Sequence, residues 1–192
     1  MSKHLDLGCG KFPRNPLNKK KLYGTDIRDL NNVDFVYKKS NLITQNIPFA
    51  DNFFDSVSAF DFIEHIPRIW IKNEKETVYP FINLMNEIFR VLKNDGEFLA
   101  ITPAYPNNQA FQDPTHVNFI TKRTAKYFSG TNPLGKIYGF NGNFLLQDNK
   151  FVPNNFLEMK FKSQLREKLY LLHSKINKKN THLYWRLKKI NQ

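Results

Sequence analysis

The sequence predicts an α/β fold in which a mostly parallel sheet has helices on both faces, a shortened first crossover and an antiparallel strand at its C-terminal edge. Two observations lead to this prediction. Short apolar runs in the first part of the chain end in glycine or acidic residues, as parallel strands do where their carboxyl ends form a binding edge. A helical pattern over residues 72–95 then leads into a further apolar run over residues 96–103.

Length and composition are those of a single folded domain. The 192 residues suffice for one sizeable core, and a hydrophobic content of 41% excludes a disordered chain. The longest apolar runs are shorter than the roughly 18 residues of a membrane span, and the first strand starts too early to leave room for a signal peptide. A single cysteine excludes a disulfide framework and fits a reducing compartment, so we expect a cytoplasmic protein.

The first apolar run, Lys3–Leu7, ends in a tight turn that contains Gly8 and Gly10. Glycine adopts positive φ and has no Cβ, so the backbone of this turn can lie directly against a ligand. Asp6, at the tip of the strand, can accept a hydrogen bond. Pro13 occupies the third glycine position of a dinucleotide fingerprint, and no phosphate loop of the G-x-x-x-x-G-K-[ST] type is present. The turn therefore predicts a cofactor of another kind.

The residue between the two glycines, Cys9, has two interpretations. Thiols near helix N-termini can be acidified, which would make Cys9 a nucleophile. A small side chain is also what a cofactor turn needs between its glycines, and we favour this second interpretation.

The segment after the glycine turn predicts the shortened crossover. It contains two prolines and no helical periodicity, so the helix that normally follows the first strand is expected to be short or missing. Residues 22–27 form the predicted second strand, which ends in the carboxylate of Asp26. A third strand is predicted over residues 33–37.

The middle of the chain predicts a strand, a long helix and another strand. A turn with proline and aspartate leads into a buried fourth strand that ends at Phe60. The helix over residues 72–95 would have Thr77 as its N-cap, Pro80 in its first turn and Gly96 at its end. Apolar residues at three- and four-residue intervals give this helix one buried stripe: Phe81, Leu84 or Met85, Ile88 and Leu92.

Polar residues over 105–119 follow the fifth strand and cannot be explained as core, so this loop is a candidate site. Histidine is the natural general base near neutral pH, and the candidates are His116 in the loop and His65 after the fourth strand. A metal site is not predicted, because the acids and histidines at this edge lack any metal-ligand spacing: Asp61, His65, Asp113 and His116.

The C-terminal part is predicted to be a strand followed by helices. Alternation over residues 156–163 predicts an antiparallel edge strand, with lysines that protect the edge. A helical stripe interrupted at residues 178–181 then predicts two helices: Leu165, Leu169, Leu172, Ile176, Leu183, Leu187 and Ile190. We therefore divide the chain into a domain over residues 1–163 and a basic amphipathic helical tail over residues 164–192.

The positive charge is concentrated near the C-terminus. Of the net +12, residues 1–149 contribute +3 and residues 150–192 contribute +9. A basic tail can attract nucleic acid, anionic lipid headgroups or an anionic substrate. It can equally be the solvated face of an ordinary helix.

Four segments resemble motifs of the class I S-adenosylmethionine-dependent methyltransferases. They are Asp-Leu-Gly-Cys-Gly at residues 6–10, Ile-Pro-Phe-Ala-Asp-Asn-Phe-Phe-Asp-Ser-Val at 47–57, Glu-His-Ile at 64–66 and Asn-Glu-Ile-Phe-Arg-Val-Leu-Lys-Asn-Asp-Gly-Glu-Phe at 86–98. The resemblance implies a Rossmann-like fold and S-adenosyl-L-methionine as the cofactor. Asp-Pro-Thr-His-Val at 113–117 resembles, more loosely, methyltransferases linked to bacterial surface-polysaccharide genes.

The resemblance also assigns residues to the cofactor. In the family, an acid at the tip of the second strand holds the two ribose hydroxyls, and Asp26 matches that position with two acceptor oxygens. Many members have an acid for the adenine amino group where this chain has Asn41. The implied cofactor site comprises Asp6, Gly8, Cys9, Gly10, Asp26, Ile27, Asn41, Leu42 and Phe60.

Three functions are consistent with these patterns. We favour a methyltransferase that acts on an oxygen or nitrogen of a small-molecule or saccharide-type acceptor, with His116 and His65 as its catalytic residues. An RNA methyltransferase that uses the basic tail is less favoured, because no Asn-Pro-Pro-Tyr motif follows the fourth strand. The third is a non-catalytic binding module with the same fold, and the intact glycine turn and Asp26 argue against it. The basic tail also allows peripheral contact with an anionic membrane.

Overall fold

A computed structural model describes residues 1–190, which form nine strands and two α-helices. In chain order these are β1 (Lys3–Leu7), β2 (Lys21–Asp26), β3 (Val36–Lys39), β4 (Phe54–Phe60), β5 (Trp70–Asn73), β6 (Glu76–Val78), α1 (Pro80–Val91), β7 (Leu92–Pro103), β8 (Phe144–Val152), α2 (Gln164–Ile176) and β9 (His182–Lys189). Neither helix is long and apolar enough to cross a membrane.

Seven of the strands form one sheet in the order β3-β2-β1-β4-β7-β9-β8. The first five run parallel to one another, whereas β9 runs antiparallel to both β7 and β8. Within the described chain, residues 8–20 between β1 and β2 contain no helix. The predicted fold class, including its shortened crossover and antiparallel C-terminal edge, is therefore confirmed.

The helix α1 covers one face of the sheet. The predicted stripe is buried, with Phe81, Met85 and Ile88 packed in the same core as Val57 of β4 and Trp185 of β9. The opposite face carries a smaller apolar cluster to which the side of α2 contributes through partly buried Leu171. Helices thus lie on both faces, as the sequence predicts.

The helix α1 is shorter than predicted. It starts at Pro80, with Tyr79 rather than Thr77 as the N-cap, and it ends at Val91, whereas Gly96 lies inside β7. Residues 70–78 instead form the antiparallel hairpin of β5 and β6. The physical reason is that residues 71–77 are exposed and have no apolar face to bury against the sheet. The third strand is also displaced, to Val36–Lys39.

The C-terminal assignments are wrong in two places. The edge strand is β8, and residues 156–163 contain only a one-turn 3₁₀-helix at Phe156–Glu158. The first predicted tail helix is confirmed as α2, but the second is the strand β9, inserted between β7 and β8. The spacing of Leu183 and Leu187 fits a helix, but together with Trp185 these residues are an alternating, buried strand face.

Candidate functional site

The candidate site lies along one edge of the sheet, where the parallel strands end. Leu7 at the end of β1 is in register with Thr25 of β2 and with Ala59 of β4. Ala59 is in turn in register with Ala100 of β7. The segments that follow β1, β2, β4 and β7 therefore meet at a common edge, where open α/β sheets bind their ligands.

The glycine turn after β1 has the backbone conformation that its sequence predicts. Gly8 has a φ of 65° and Gly10 a φ of 55°. The amides of Gly8 and Cys9 donate to the carbonyl of Thr25, at 2.9 and 3.2 Å, which ties the turn to the end of β2. A Cβ on Gly8 would lie 2.5 Å from Cδ2 of Phe62, so Gly8 is needed for close packing as well as for its φ.

Asp26, at the end of β2, presents a buried carboxylate beside this turn. Its Oδ2 accepts from the amide of Gly10 at 3.0 Å, and its Oδ1 accepts from the amide of Arg28 at 3.0 Å. The guanidinium of Arg28 adds hydrogen bonds of 2.9 and 2.8 Å to the two oxygens. Burial raises the pKa of Asp26, but the hydrogen bonds from Arg28 and Gly10 outweigh it and lower the pKa to about 2. Asp26 is therefore ionised.

Asp6 anchors the loop that replaces the crossover helix. Its Oδ1 accepts from Oγ of Ser58 at 2.5 Å, and its Oδ2 accepts from the amide of Arg14 at 2.8 Å. Burial raises the pKa of Asp6 to about 7. The ring of His4 lies between the hydroxyls of Ser56 and Ser58, at 2.7 and 2.8 Å, and burial lowers its pKa to about 3. These hydrogen bonds form one buried polar cluster that joins β1, β4 and the loop.

Cys9 is a buried thiol that packs against β2. Its side chain occupies the space beside Gly24, where an added Cβ would come within 2.6 Å of the sulfur. Burial raises the pKa of Cys9 to about 12, because the thiolate would lose its hydration. A protonated, enclosed thiol suits the role of a small filler and not that of a nucleophile.

Four other residues of the predicted cofactor site stand around Asp26 and the end of β4. Ile27 is 56% exposed beside Asp26, whereas Leu42 and Phe60 are buried. Asn41 follows Lys39, which is the register partner of Asp26, so it reaches the same edge. The Oδ1 of Asn41 accepts from the amide of Ile43 at 3.2 Å and closes its own turn.

The two predicted catalytic histidines are brought together by the loop at 105–119. The amides of Val117 and Asn118 donate to the carbonyl of Glu64, at 3.0 and 2.9 Å. These bonds clamp the loop onto the one-turn helix at Ile63–His65. The ring centroids of His65 and His116 are 4.9 Å apart as a result.

Glu64 lies between these histidines and was not predicted as a site residue. It is 1% exposed, and its Oε2 accepts from Oγ1 of Thr102 at 2.8 Å. Its Oε1 has no hydrogen-bond partner and lies 4.0 Å from Nε2 of His116. Burial raises the pKa of Glu64 to about 8. The Glu-His-Ile segment at 64–66 is the sequence signal for it, whereas its contact with Thr102 is distant along the chain.

Two further acids pair with separate histidines at this edge. Asp113 accepts from Oγ1 of Thr115 at 2.7 Å and lies 3.9 Å from Nε2 of His116. Asp61 lies 3.3 Å from Nε2 of His182, which is the first residue of β9. The segment predicted as a helical tail thus supplies a side chain to the site. The sequence did not indicate this residue, because the segment was predicted to be a helix outside the sheet.

Three aromatic side chains of the same loop are exposed. Tyr105, Phe111 and Phe119 are 56%, 50% and 40% exposed. The rings of Phe111 and Phe119 are stacked with centroids 4.9 Å apart. Exposed apolar side chains that cluster at a site commonly mark a ligand surface.

Comparison with known proteins finds the same architecture. A family model described as a methyltransferase domain matches residues 5–100, half of the 192 residues. No curated protein matches the sequence.

Three solved structures illustrate the similarity in fold. One is an S-adenosylmethionine-dependent methyltransferase from Archaeoglobus fulgidus, with 18% identity, a TM-score of 0.56 and coverage of 98% of this chain and 86% of that one. A chain from the complex that contains the Haloferax volcanii Trm112 methyltransferase activator has 11% identity, a TM-score of 0.58 and coverage of 99% and 83%. Geranyl diphosphate C-methyltransferase from Streptomyces coelicolor A3(2) has 13% identity, a TM-score of 0.53 and coverage of 99% and 71%.

Proposed function

The chain belongs to the methyltransferase-domain family of S-adenosylmethionine-dependent enzymes, and on this premise we propose that it methylates an oxygen or nitrogen of a small-molecule or saccharide-type acceptor in the cytoplasm. One observation supports the proposal above all others. The glycine turn with Asp26 and the histidine pair with Glu64 share one sheet edge, and the ring of Phe62 packs on Gly8 between them.

The residues after β1 and β2 fit the cofactor. Gly8 and Gly10 carry no side chains of their own, and the ionised carboxylate of Asp26 offers two acceptor oxygens to the ribose hydroxyls. Arg28 now bonds to both oxygens, but its side chain is 64% exposed and is free to move away. When bound, S-adenosylmethionine supplies an activated methyl: the acceptor's lone pair forms the new bond to carbon, the sulfur keeps the electron pair of the broken bond, and the acceptor's proton is released.

The loop at 105–119 and the histidine pair form the acceptor side. We assign His116 and His65 as the residues that contact the reacting atom, because imidazole can hold or take a proton near neutral pH. Aromatic faces suit the apolar C–H surfaces of sugar rings, so Tyr105, Phe111 and Phe119 favour a saccharide-type acceptor. Positioning donor and acceptor is the main task of the protein, since the methyl group is already activated.

A methyl-transfer assay tests the function. Purified protein is incubated with methyl-labelled S-adenosylmethionine and, separately, with nucleotide sugars, free saccharides, small amines and bulk RNA. We expect label in a saccharide or another small molecule, with the rate reduced at least about 100-fold in His116→Ala and His65→Ala. His173→Ala, an exposed position on α2, serves as the control and should retain the wild-type rate.

Two outcomes would contradict this function. Label found only in RNA would favour the nucleic-acid methyltransferase. Tight binding of the cofactor without transfer to any acceptor class would favour the non-catalytic module.

The exposed face of α2 supports a second proposal, that this helix rests on an anionic membrane surface. Four apolar residues form a stripe along one side of the helix and are 56–73% exposed: Leu165, Leu169, Leu172 and Ile176. Lys168 and Lys175 flank the stripe on one side and Arg166 on the other, whereas buried Ser174 lies on the opposite face. A basic amphipathic helix of this kind matches a surface that is both apolar and negatively charged.

Vesicle sedimentation tests the membrane contact. We expect the protein to sediment with phosphatidylglycerol vesicles but not with phosphatidylcholine vesicles, and Leu169→Glu to reduce the bound fraction several-fold because it places a charge in the stripe. Leu134→Glu, at another exposed apolar position, is the matched control. Equal binding of both variants, or a preference for RNA over anionic vesicles, would contradict the proposal.

A further inference from the structure

The acceptor side of the site contains a group of potential metal ligands. Glu64, His65 and His116 each offer one ligand atom, and these atoms lie within 4.8 Å of one another. Glu64 and His65 are neighbours in the one-turn helix, and His116 is delivered by the loop clamped to the carbonyl of Glu64. The geometry is therefore set by backbone hydrogen bonds rather than by flexible surface side chains.

Two of the three side chains are each held by a hydrogen bond at one polar atom, which leaves the other atom for a ligand. Oγ1 of Thr102 donates to Oε2 of Glu64 at 2.8 Å, which leaves Oε1 without a partner. Oγ1 of Thr115 donates to Asp113 and therefore accepts from Nδ1–H of His65, at 3.0 Å, which leaves the lone pair of His65 on Nε2. Supporting partners of this kind orient the ligands of protein metal sites.

The group contains a buried polar atom that lacks a partner. Oε1 of Glu64 is unpartnered in a residue that is 1% exposed, and the side chain of His116 opposite it is 9% exposed. An unsatisfied buried polar group costs about 1–3 kcal/mol. Nε2 of His116 stands 4.0 Å from Glu64 and 3.9 Å from Asp113, distances that a small cation between them would shorten. These atoms indicate a ligand that accepts electron pairs.

We propose that Glu64, His65 and His116 bind one divalent transition-metal ion, with Zn²⁺ as the best match. Two imidazole nitrogens and one carboxylate oxygen suit Zn²⁺ or Fe²⁺, whereas Mg²⁺ and Ca²⁺ prefer oxygen ligands alone. Three protein ligands leave an open coordination position, as in catalytic rather than structural zinc sites.

The open position gives the ion a role in the proposed methyl transfer, and this role rests on the proposed function. With the ion bound, His65 and His116 would act as its ligands and not as the base, and they would contact the acceptor through the ion. A hydroxyl of the acceptor at the open position would release its proton to solvent more easily, because the positive charge stabilises the alkoxide oxygen. That oxygen would attack the methyl carbon while the sulfur keeps the electron pair of the broken bond. The ion would thereby favour an oxygen acceptor. Binding of the ion itself does not depend on the identity of the acceptor.

Zinc titration against a chromophoric chelator tests the site in the metal-stripped protein of 192 residues. We expect one equivalent of Zn²⁺ to bind, and His65→Ala, His116→Ala and Glu64→Gln each to weaken binding at least about 100-fold. Thr102→Val removes only the partner of Glu64 and should weaken binding about 10–100-fold. His173→Ala, exposed on α2, is the control and should bind as the wild type does. Circular dichroism verifies that each variant is folded.

Absence of zinc binding by the wild type would overturn the proposal, and so would binding that both histidine replacements leave unchanged. Co²⁺ provides a second readout, since its visible absorption should report nitrogen and oxygen ligation in the wild type and be lost in folded Glu64→Gln. Calorimetry with S-adenosylhomocysteine in the presence of a chelator separates the two proposals. The metal-stripped protein should still bind this product, whereas failure there would count against the proposed function and not against the metal site.

Discussion

Replacing Asp26 with alanine is expected to weaken the binding of S-adenosylhomocysteine at least about 100-fold. The carboxylate is 5% exposed and ionised, so it presents two charged acceptors at the sheet edge. A hydrogen bond to a charged group contributes roughly 1.5–3 kcal/mol, and each 1.4 kcal/mol corresponds to about tenfold in affinity. Loss of two hydrogen bonds to the ribose should therefore lower the affinity by more than two orders of magnitude. Isothermal titration calorimetry measures the change.

Arg28→Ala is the informative companion to Asp26→Ala. The guanidinium holds both carboxylate oxygens, so it competes with the ribose hydroxyls for them. An ion pair with an exposed partner such as Arg28 is worth about 0.2–1 kcal/mol, and removal of the competitor should therefore tighten binding by up to about fivefold. Arg28→Lys keeps the charge but loses the bidentate contact, and its affinity should lie between those of the wild type and Arg28→Ala. Unchanged affinity in folded Asp26→Ala would mean that the carboxylate does not hold the ribose.

The sequence predicts the conformation of the glycine turn and the position of Asp26, because their determinants are local, and the assignment of these residues to the cofactor stays a prediction. The positive φ at Gly8 and Gly10 follows from residue type, and Asp26 is placed by the rule that parallel strands end at one edge. What the sequence could not predict is the state of these groups. Asp6 is engaged by Ser58 and by a loop amide, which depends on how the shortened crossover folds back, and Asp26 is covered by the guanidinium of Arg28.

The acceptor side could be predicted only in part, because its contacts are distant in sequence. His65 and His116 were candidates, but nothing in their spacing indicates that their rings lie 4.9 Å apart. Glu64 is oriented by a hydrogen bond from Thr102, and His182, the first residue of β9, lies 3.3 Å from Asp61. Such clusters form only when a loop folds over the sheet edge, and no short metal-ligand motif in the sequence predicts them.

The last strand was missed because its pairing is not in chain order. β8 follows β7 along the chain, but β9 takes the place between them. Its charged residues, such as Arg186 and Lys188, alternate with buried ones, and Arg186 bonds to Glu97 on the neighbouring strand at 2.5 Å. Leucines four residues apart in a basic segment fit the period of a helix. The burial of Trp185, midway between Leu183 and Leu187, instead gives the period of two that is typical of a strand.

Trp185→Ala is expected to destabilise the protein by about 3–5 kcal/mol, a large part of the roughly 5–15 kcal/mol that keeps a domain folded. The side chain is fully buried in the core shared with α1, and its backbone pairs with Ala100 on one side and Asn149 on the other. Urea unfolding measures the loss, with Leu165→Ala, 66% exposed on α2, as the control that should change stability by less than about 0.5 kcal/mol. Trp185→Phe should cost less than Trp185→Ala, because it fills most of the volume and removes an indole N–H that has no partner. If Trp185→Ala were as mild as Leu165→Ala, the segment would be a dispensable appendage, and the placement of β9 inside the sheet would be refuted.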